Sequence, residues 1–283
     1  MSAWRRIATW SFLVFVALSG SWVYGAKPKG PKLPEALKLS DAPGKATYNA
    51  QSGDYADSRF AVYVPKAYDA DKPIPLVVSA HGAGGNGPAE LGDWEPLAEK
   101  YGFLAVCPSY ASSTGPNTDQ QKIAKLRIDA VMLDEIVRRV LGSFNVDRKH
   151  VMHTGFSGGG NATWYLGMSH PEIFTMLCFR SANYHGTVFF TTRNLAPWRN
   201  RPIYMFWGER DHELIIKTVP GHVAEGPSGL LFLQQLGCQN VKHEIVPSGG
   251  HDSRADLAAK WFADEVAKPD KNAKKRRPKA AAE

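Results

Sequence analysis

A serine in the middle of the chain has the neighbours that a catalytic nucleophile needs. Residues 155–159 read Gly-Phe-Ser-Gly-Gly, which fits the pattern G-x-S-x-G. The residues before this motif predict a strand, and residues 160–168 predict a helix. A sharp turn between the two would expose the serine hydroxyl, while the two flanking glycines leave room for the strand and helix. We therefore identify Ser157 as a candidate nucleophile; the alternative is an ordinary glycine-rich turn.

A serine hydroxyl is a weak nucleophile, so it requires a base, and a carboxylate usually orients that base. Two later predicted strands end just before Asp211 and His251. Active sites of open α/β sheets form beyond the carboxyl ends of the strands, so both side chains are expected near Ser157. The sequence therefore predicts the triad Ser157–His251–Asp211. Glu209 and Asp252 are the alternative acids.

Acyl transfer also requires hydrogen-bond donors for the negative charge that develops on the carbonyl oxygen. One donor is expected to be the backbone N–H of Gly158, directly after the nucleophile. The loop 79–85 follows an earlier predicted strand, and its glycines allow the main chain to turn an N–H towards the site. We assign this second donor to Ala83, with Gly84 as the alternative, and expect His81 to brace the loop.

The same loop raises the possibility of a dinucleotide site, because residues 82–87 fit G-x-G-x-x-G. Such a site also needs an acidic residue at the end of the next strand to bind the ribose. The next predicted strand, 102–107, offers none. We therefore predict no cofactor, and the spacing of the His and Cys residues predicts no metal site.

Strand and helix patterns alternate along residues 46–267. The run Ile74–Ala80 is apolar enough to be a strand buried on both faces, and residues 123–141 repeat apolar side chains at helical spacing. Such alternation implies a mainly parallel sheet covered by helices on both faces. We therefore predict a single α/β catalytic domain over residues 46–267.

The amino-terminal end differs from this domain. Residues 1–26 combine a basic start, an apolar stretch and small residues, which is typical of a secretory signal peptide cleaved near Gly25 or Ala26. The protein is then expected to be secreted or periplasmic. An uncleaved membrane anchor is the alternative, and contact with a membrane is expected only in that case. Residues 27–45, rich in Lys, Pro and Gly, predict a linker.

The net charge of +7 comes from the two ends of the chain. Residues 39–267 carry 21 Lys and Arg against 24 Asp and Glu, so we predict no specific nucleic-acid partner. Residues 268–283 carry seven Lys and Arg and no apolar residue larger than Ala or Pro, which predicts a disordered basic tail. This tail either binds an anionic surface or is simply solvated.

The residues that carry the predicted chemistry also carry a resemblance to a known group of enzymes. The chain resembles the α/β-hydrolase superfamily, and within it the secreted esterases that include polyhydroxybutyrate depolymerases, feruloyl esterases and acetyl xylan esterases. The matching stretches are Tyr63-Val-Pro65, residues 75–82, Val146-Asp-Arg148, residues 155–159, residues 208–211 and Gly249-Gly-His251.

The resemblance implies an α/β-hydrolase fold and a secreted serine esterase without a cofactor. Its substrates would be small or polymeric esters: carbohydrate-linked acetyl or hydroxycinnamoyl esters, or hydroxyalkanoate oligomers. Two alternatives remain open. A serine peptidase would share the fold and the triad, and a non-catalytic envelope protein would adhere through the basic tail.

Overall fold

The computed structural model of the chain describes residues 33–51, 57–114, 118–186, 195–218 and 223–269. A sheet of eight strands forms the centre of these residues. In chain order the strands are β1 (Gly44–Asn49), β2 (Arg59–Val64), β3 (Ile74–Ala80), β4 (Leu104–Pro108), β5 (Val146–Phe156), β6 (Met176–Arg180), β7 (Ile203–Gly208) and β8 (Val241–Val246). Their order across the sheet is β1-β2-β4-β3-β5-β6-β7-β8. The first two junctions, β1 with β2 and β2 with β4, are antiparallel, and all the others are parallel.

Helices cover both faces of this sheet. On one face lie α1 (Gly87–Tyr101) and α6 (Ala255–Val266); on the other lie α2 (Asp119–Ser143), α3 (Gly160–Ala162, continued by the π-helical segment Thr163–Gly167) and α5 (Glu225–Gln235). A short helix, α4 (Glu213–Ile216), follows β7. The prediction of a mainly parallel sheet with helices on both faces is confirmed.

The apolar runs of the central strands follow from this layering. In β3, the side chains of Leu76 and Val78 pack in the α2 layer, while that of Val77 packs in the α1 layer. All three are buried, because successive side chains of a strand point to opposite faces and both faces are covered. A continuous apolar run is therefore what a central strand of this sheet requires.

Ordered structure begins earlier than residue 46, where the catalytic domain was expected to start. Strand β1 begins at Gly44, inside the predicted linker 27–45. Upstream, Leu39 is only 5% exposed, and its N–H donates to Ser143 Oγ at 2.8 Å. The linker boundary was misplaced because β1 is an edge strand of alternating burial, and its few apolar side chains are hidden among polar ones.

The chain termini fall largely beyond what the structure describes. The predicted signal peptide, residues 1–26, lies outside the described residues, and so do residues 270–283 of the predicted tail. Within the described ranges, no helix combines the length and apolar character needed to cross a bilayer. The carboxyl ends of the parallel strands β5, β7 and β8 lie together, and the candidate site lies beyond these strand ends, at the carboxyl edge of the sheet.

Candidate active site

The candidate nucleophile lies in a strained turn between β5 and α3. Ser157 has a φ of +49°, in the left-handed region that side chains other than glycine rarely adopt. The turn is also crowded. A Cβ atom on Gly155 would lie 2.2 Å from Gly159 O, and a Cβ atom on Gly159 would lie 2.5 Å from Ala80 O. The two glycines of the motif are therefore a steric requirement of this turn.

This crowding predicts the effect of adding one methyl group. We expect Gly155→Ala to destabilise the protein by about 3 kcal/mol or more, because the new Cβ would overlap backbone atoms that cannot move aside. Gly92→Ala is the matched control: a Cβ on this exposed residue of α1 meets no atom within 4 Å. It should stabilise the protein by about 0.5–1 kcal/mol, since alanine favours helix. Urea unfolding measures both, and a Gly155→Ala protein as stable as the control would contradict the steric argument.

The three predicted triad residues form one hydrogen-bonded series. His251 Nε2 lies 2.9 Å from Ser157 Oγ, and His251 Nδ1 lies 2.5 Å from Asp211 Oδ1. Asp211 follows β7 and His251 follows β8, so parallel pairing of these strands brings the two loops together. The ring of Phe156 also packs on the His251 ring, with centroids 4.9 Å apart. A carboxylate, an imidazole and a hydroxyl are thus in direct contact.

The Asp211 carboxyl is buried but well supplied with hydrogen-bond donors. The N–H of Gly208 donates to Oδ2 at 3.1 Å, and the N–H of His212 donates to Oδ1 at 2.6 Å. Burial by itself raises the pKa of Asp211, but hydrogen bonds from His251, the Ser181 hydroxyl and these two amides outweigh it and lower the pKa. The carboxyl is therefore ionised and can accept the His251 Nδ1 proton.

The two alternative acids have other partners. Glu209 Oε2 accepts a hydrogen bond from the Ser248 N–H at 2.9 Å, and Asp252 Oδ2 accepts one from the Gly250 N–H at 3.2 Å. Both carboxylates therefore support the backbone of the loop that carries His251. Among the three acids, the structure brings the Asp211 carboxyl to the imidazole.

The two residues assigned as oxyanion donors are neighbours. A Cβ atom on Gly158 would lie 3.1 Å from Ala83 N, which places the Ala83 amide beside the turn of the nucleophile. The Gly85 N–H donates to Gly82 O at 3.1 Å, closing a tight turn in which Gly84 has a φ of +77°. In the part of the chain that the structure describes, no acceptor takes the Ala83 N–H. Because the Ala83 amide is the one that lies beside Gly158, it is our choice for the second donor, ahead of Gly84.

His81 anchors this loop from behind. Its side chain is buried, with Nδ1 at 2.8 Å from Gly82 O and Nε2 accepting the Tyr110 N–H at 3.0 Å. Burial lowers the pKa of His81. The ring is therefore neutral and donates from Nδ1, because Nε2 must accept a hydrogen bond. The expected bracing role fits these contacts.

Asp129 is a supporting residue that the sequence did not reveal. Its carboxylate is 0% exposed and accepts the N–H groups of Ala111 (2.9 Å) and Ser112 (2.8 Å). The next residue, Ser113, has its carbonyl oxygen 2.8 Å from where a Gly158 Cβ would lie. Asp129 thus holds the segment against which the nucleophile turn packs. It lies within α2, where a single aspartate carries no sequence signal.

Asp129 also predicts a pH dependence of stability. Burial raises its pKa from 3.8 to about 6. The folded state then binds more protons than the unfolded state between these values, so this carboxyl reduces stability as the pH rises from about 4 to about 6, by about 3 kcal/mol. Asp129→Asn should lack this decline. The measurement is urea unfolding from pH 4 to 7, with the exposed Asp119→Asn as control. Parallel curves for wild type and Asp129→Asn would contradict the prediction.

The glycine-rich loop at residues 82–87 lies beside the candidate nucleophile. Close packing against β4 requires a glycine at residue 87, because a Cβ atom on Gly87 would lie 2.1 Å from Cys107 O. In the described ranges, no group of three or more His, Cys, Asp or Glu side chains is arranged to hold a metal ion.

The order of the sheet and the position of the site at its carboxyl edge define the chain as an α/β hydrolase. More narrowly, the chain belongs to the dienelactone hydrolase family, whose model matches residues 60–222.

Similar sequences include fungal esterases. A probable feruloyl esterase C from Aspergillus oryzae is 27% identical over 119 residues, 42% of this chain and 44% of the relative. Acetylxylan esterase A from Aspergillus awamori is 27% identical over 145 residues, 49% of this chain and 47% of the relative. The chain thus spans less than half the length of these two relatives.

Similar solved structures share the fold. An S-formylglutathione hydrolase from Staphylococcus aureus has a TM-score of 0.58 at 14% identity, over 78% of this chain and 98% of that one. A ferulic acid esterase from Anaeromyces mucronatus, solved with ferulic acid, has a TM-score of 0.53 at 15% identity, over 81% and 93% of the two chains. At this level of identity the likeness concerns the fold.

Proposed function

We propose that this protein is a serine esterase that hydrolyses carboxylic esters through Ser157, His251 and Asp211. The observation that carries the proposal is the hydrogen-bonded series from Ser157 Oγ through the His251 imidazole to the Asp211 carboxylate. The names of the similar fungal sequences, feruloyl and acetylxylan esterases, support ester hydrolysis as the reaction.

The proposed mechanism follows from the direction of each hydrogen bond. The Asp211 carboxylate accepts a hydrogen bond from His251 Nδ1. The neutral His251 ring therefore carries its proton on Nδ1, which leaves Nε2 free to accept a proton. Nε2 removes the Ser157 proton as Oγ attacks the ester carbonyl carbon. The N–H groups of Gly158 and Ala83 donate to the resulting oxyanion.

Release of the products reverses the proton transfer. The protonated His251 ring donates its Nε2 proton to the departing alcohol, which leaves the acyl group on Ser157 Oγ. A water molecule then attacks the acyl-enzyme while Nε2 again accepts a proton. The attack of water forms a second tetrahedral intermediate. Its collapse releases the acid, and His251 Nε2 returns the proton to Ser157 Oγ. The ionised Asp211 stabilises the charged imidazole in both halves of the reaction.

As substrates we propose carbohydrate-linked acetyl or hydroxycinnamoyl esters, with hydroxyalkanoate oligomers as the other candidate class. The first class is supported by the names of the similar sequences, and the second by the resemblance to polyhydroxybutyrate depolymerases alone. We further propose that the protein is exported through the signal peptide predicted at residues 1–26, and that the basic tail permits contact with an anionic surface.

A substrate panel tests the proposed function. The purified protein is assayed with acetyl, feruloyl, hydroxybutyrate and longer acyl esters and with matched amides, and Ser157 is probed with a fluorophosphonate. We expect ester hydrolysis, little amide cleavage and a label on Ser157. Preferential amide cleavage would instead support a peptidase. Absence of both hydrolysis and labelling, with salt-sensitive binding to anionic polymers, would support an envelope adhesion protein.

A further inference from the structure

A buried arginine lies behind the candidate site without taking part in the proposed chemistry. Arg180 is the last residue of β6, and its side chain is 0% exposed. Its guanidinium donates hydrogen bonds to Thr154 Oγ1 (3.1 Å), Ser253 O (3.2 Å), Ser253 Oγ (2.9 Å), Ser79 Oγ (2.9 Å) and Glu90 Oε1 (2.6 Å). These acceptors belong to strands β3 and β5, to helix α1 and to the loop of His251.

The buried charge is fully compensated. The Glu90 carboxylate that pairs with Arg180 also accepts the Ser79 hydroxyl at 2.6 Å and the Trp94 indole N–H at 3.0 Å. Burial raises the pKa of Glu90, but the Arg180 charge and these hydrogen bonds lower it overall, so the pair is ionised. The guanidinium also lies 5.3 Å from the Trp94 ring centroid. A network satisfied at every member holds its groups rigidly.

Two of the Arg180 hydrogen bonds reach the histidine loop. Both end on Ser253, two residues after His251, and Ser253 Oγ in turn donates to Asp93 Oδ2 at 2.7 Å. On the other side of His251, Ser248 is bound through its N–H by Glu209 and through its carbonyl by the Arg210 guanidinium at 2.6 Å. The loop is therefore held on both sides of the imidazole.

We infer that Arg180 is a positioning residue of the proposed esterase, which fixes the His251 imidazole through Ser253. Arg180 has no exposed surface and its donors are occupied, so it cannot contact a substrate. The next residue has a parallel task, because the Ser181 hydroxyl donates to the Asp211 carboxyl. The end of β6 thus supports the candidate base and the candidate acid together. The inference depends on the proposed function for its effect on catalysis.

Substitutions at Ser253 and Thr154 distinguish a positioning role of Arg180 from a purely stabilising one. Ser253→Ala removes one Arg180 acceptor from the histidine loop, together with the hydrogen bond from the Ser253 hydroxyl to Asp93 Oδ2. Thr154→Val is a nearly isosteric matched control that removes another acceptor of the same guanidinium, but from β5, whose backbone is held by pairing with β3 and β6. Ser253→Thr restores the hydroxyl. These variants leave the buried Arg180–Glu90 pair in place, which avoids the folding failure that substitution of Arg180 risks.

We expect Ser253→Ala to lower kcat by about tenfold to a hundredfold with KM nearly unchanged, because small displacements of a catalytic group are costly. Thr154→Val should lose about as much thermal stability as Ser253→Ala but retain wild-type kcat. Ser253→Thr should recover most of the kcat that Ser253→Ala loses. In proton NMR, the low-field signal of the His251 Nδ1 proton should weaken in Ser253→Ala and persist in Thr154→Val. Unchanged kcat and an unchanged signal in Ser253→Ala, or equal changes in both variants, would overturn the inference.

The two proposals can fail separately. A wild-type protein that hydrolyses no ester and shows no Ser157 label would refute the proposed function, while the NMR signal still tests whether Arg180 and Ser253 position His251. An active wild type whose Ser253→Ala variant behaves like wild type in both measurements would refute only the positioning role.

Discussion

Ser157→Ala should abolish ester hydrolysis and leave the fold intact. We expect kcat to fall by about 10⁴-fold or more, because no other group replaces the attacking oxygen and the base then has no proton to accept. The His251–Asp211 hydrogen bond does not involve the serine and should remain. The measurement is hydrolysis of a chromogenic ester together with fluorophosphonate labelling.

The matched control for this variant is Ser143→Ala. Ser143 ends α2 three residues before β5 begins at Val146, which pairs with the first residue of β3, so Ser143 lies at the amino ends of the parallel strands, opposite the site. The control should keep wild-type kcat while losing the hydrogen bond from the Leu39 N–H. A Ser157→Ala protein with near wild-type activity would exclude Ser157 as the nucleophile.

The strained backbone at residue 157 adds a second readout. Ser157 has a φ of +49°, so Ser157→Gly should be more stable than Ser157→Ala by about 1 kcal/mol, since glycine adopts this region without steric cost. Equal stability of the two variants in urea would argue against strain at this turn. Both variants should lack activity.

Asp211→Asn is expected to lower kcat by about 10⁴-fold with little change in the fold. An asparagine can present its amide N–H groups to His251 Nδ1, which favours the ring tautomer protonated at Nε2. That tautomer cannot accept the Ser157 proton. The measurement is kcat for the same chromogenic ester, with circular dichroism to show that the variant is folded.

Glu209→Gln is the control that distinguishes the two acids. A glutamine oxygen can still accept the Ser248 N–H, so the histidine loop should stay in place and kcat should change by no more than about threefold. Loss of activity in Glu209→Gln with retention in Asp211→Asn would reverse the assignment. The two substitutions remove the same charge at positions two residues apart, which makes the comparison direct.

Much of the architecture could be predicted from local patterns. The apolar run of β3 and the helical spacing along α2 each reflect a single element, so the sequence shows them directly. Strand β1 was assigned in part to a linker because an edge strand buries only one face. The helix predicted after Ser157 is mostly a π-helical segment at Thr163–Gly167, a detail that helical periodicity does not predict.

The supporting residues behind the site could not be predicted. Arg180 lies at the end of an apolar strand, and Asp129 lies within a long amphipathic helix. Neither belongs to a motif, because their partners are distant in the chain: Arg180 contacts Ser79, Glu90 and Ser253. Such contacts exist only when separate strands and loops have been brought together.

The candidate triad illustrates the difference between what local patterns predict and what the fold adds. Local sequence patterns predict the α/β architecture, the turn at Ser157, and a histidine and acids at later strand ends, since each of these depends on residues adjacent in the chain. Which acid contacts the imidazole depends instead on how the loops are arranged in the folded protein. Asp211 and Glu209 follow the same strand. The Asp211 N–H donates to Gly208 O at 3.1 Å and closes a turn, and the Asp211 carboxyl contacts His251. The Glu209 carboxyl instead accepts the Ser248 N–H. The direction of a side chain in a loop depends on backbone contacts that residue types alone do not encode.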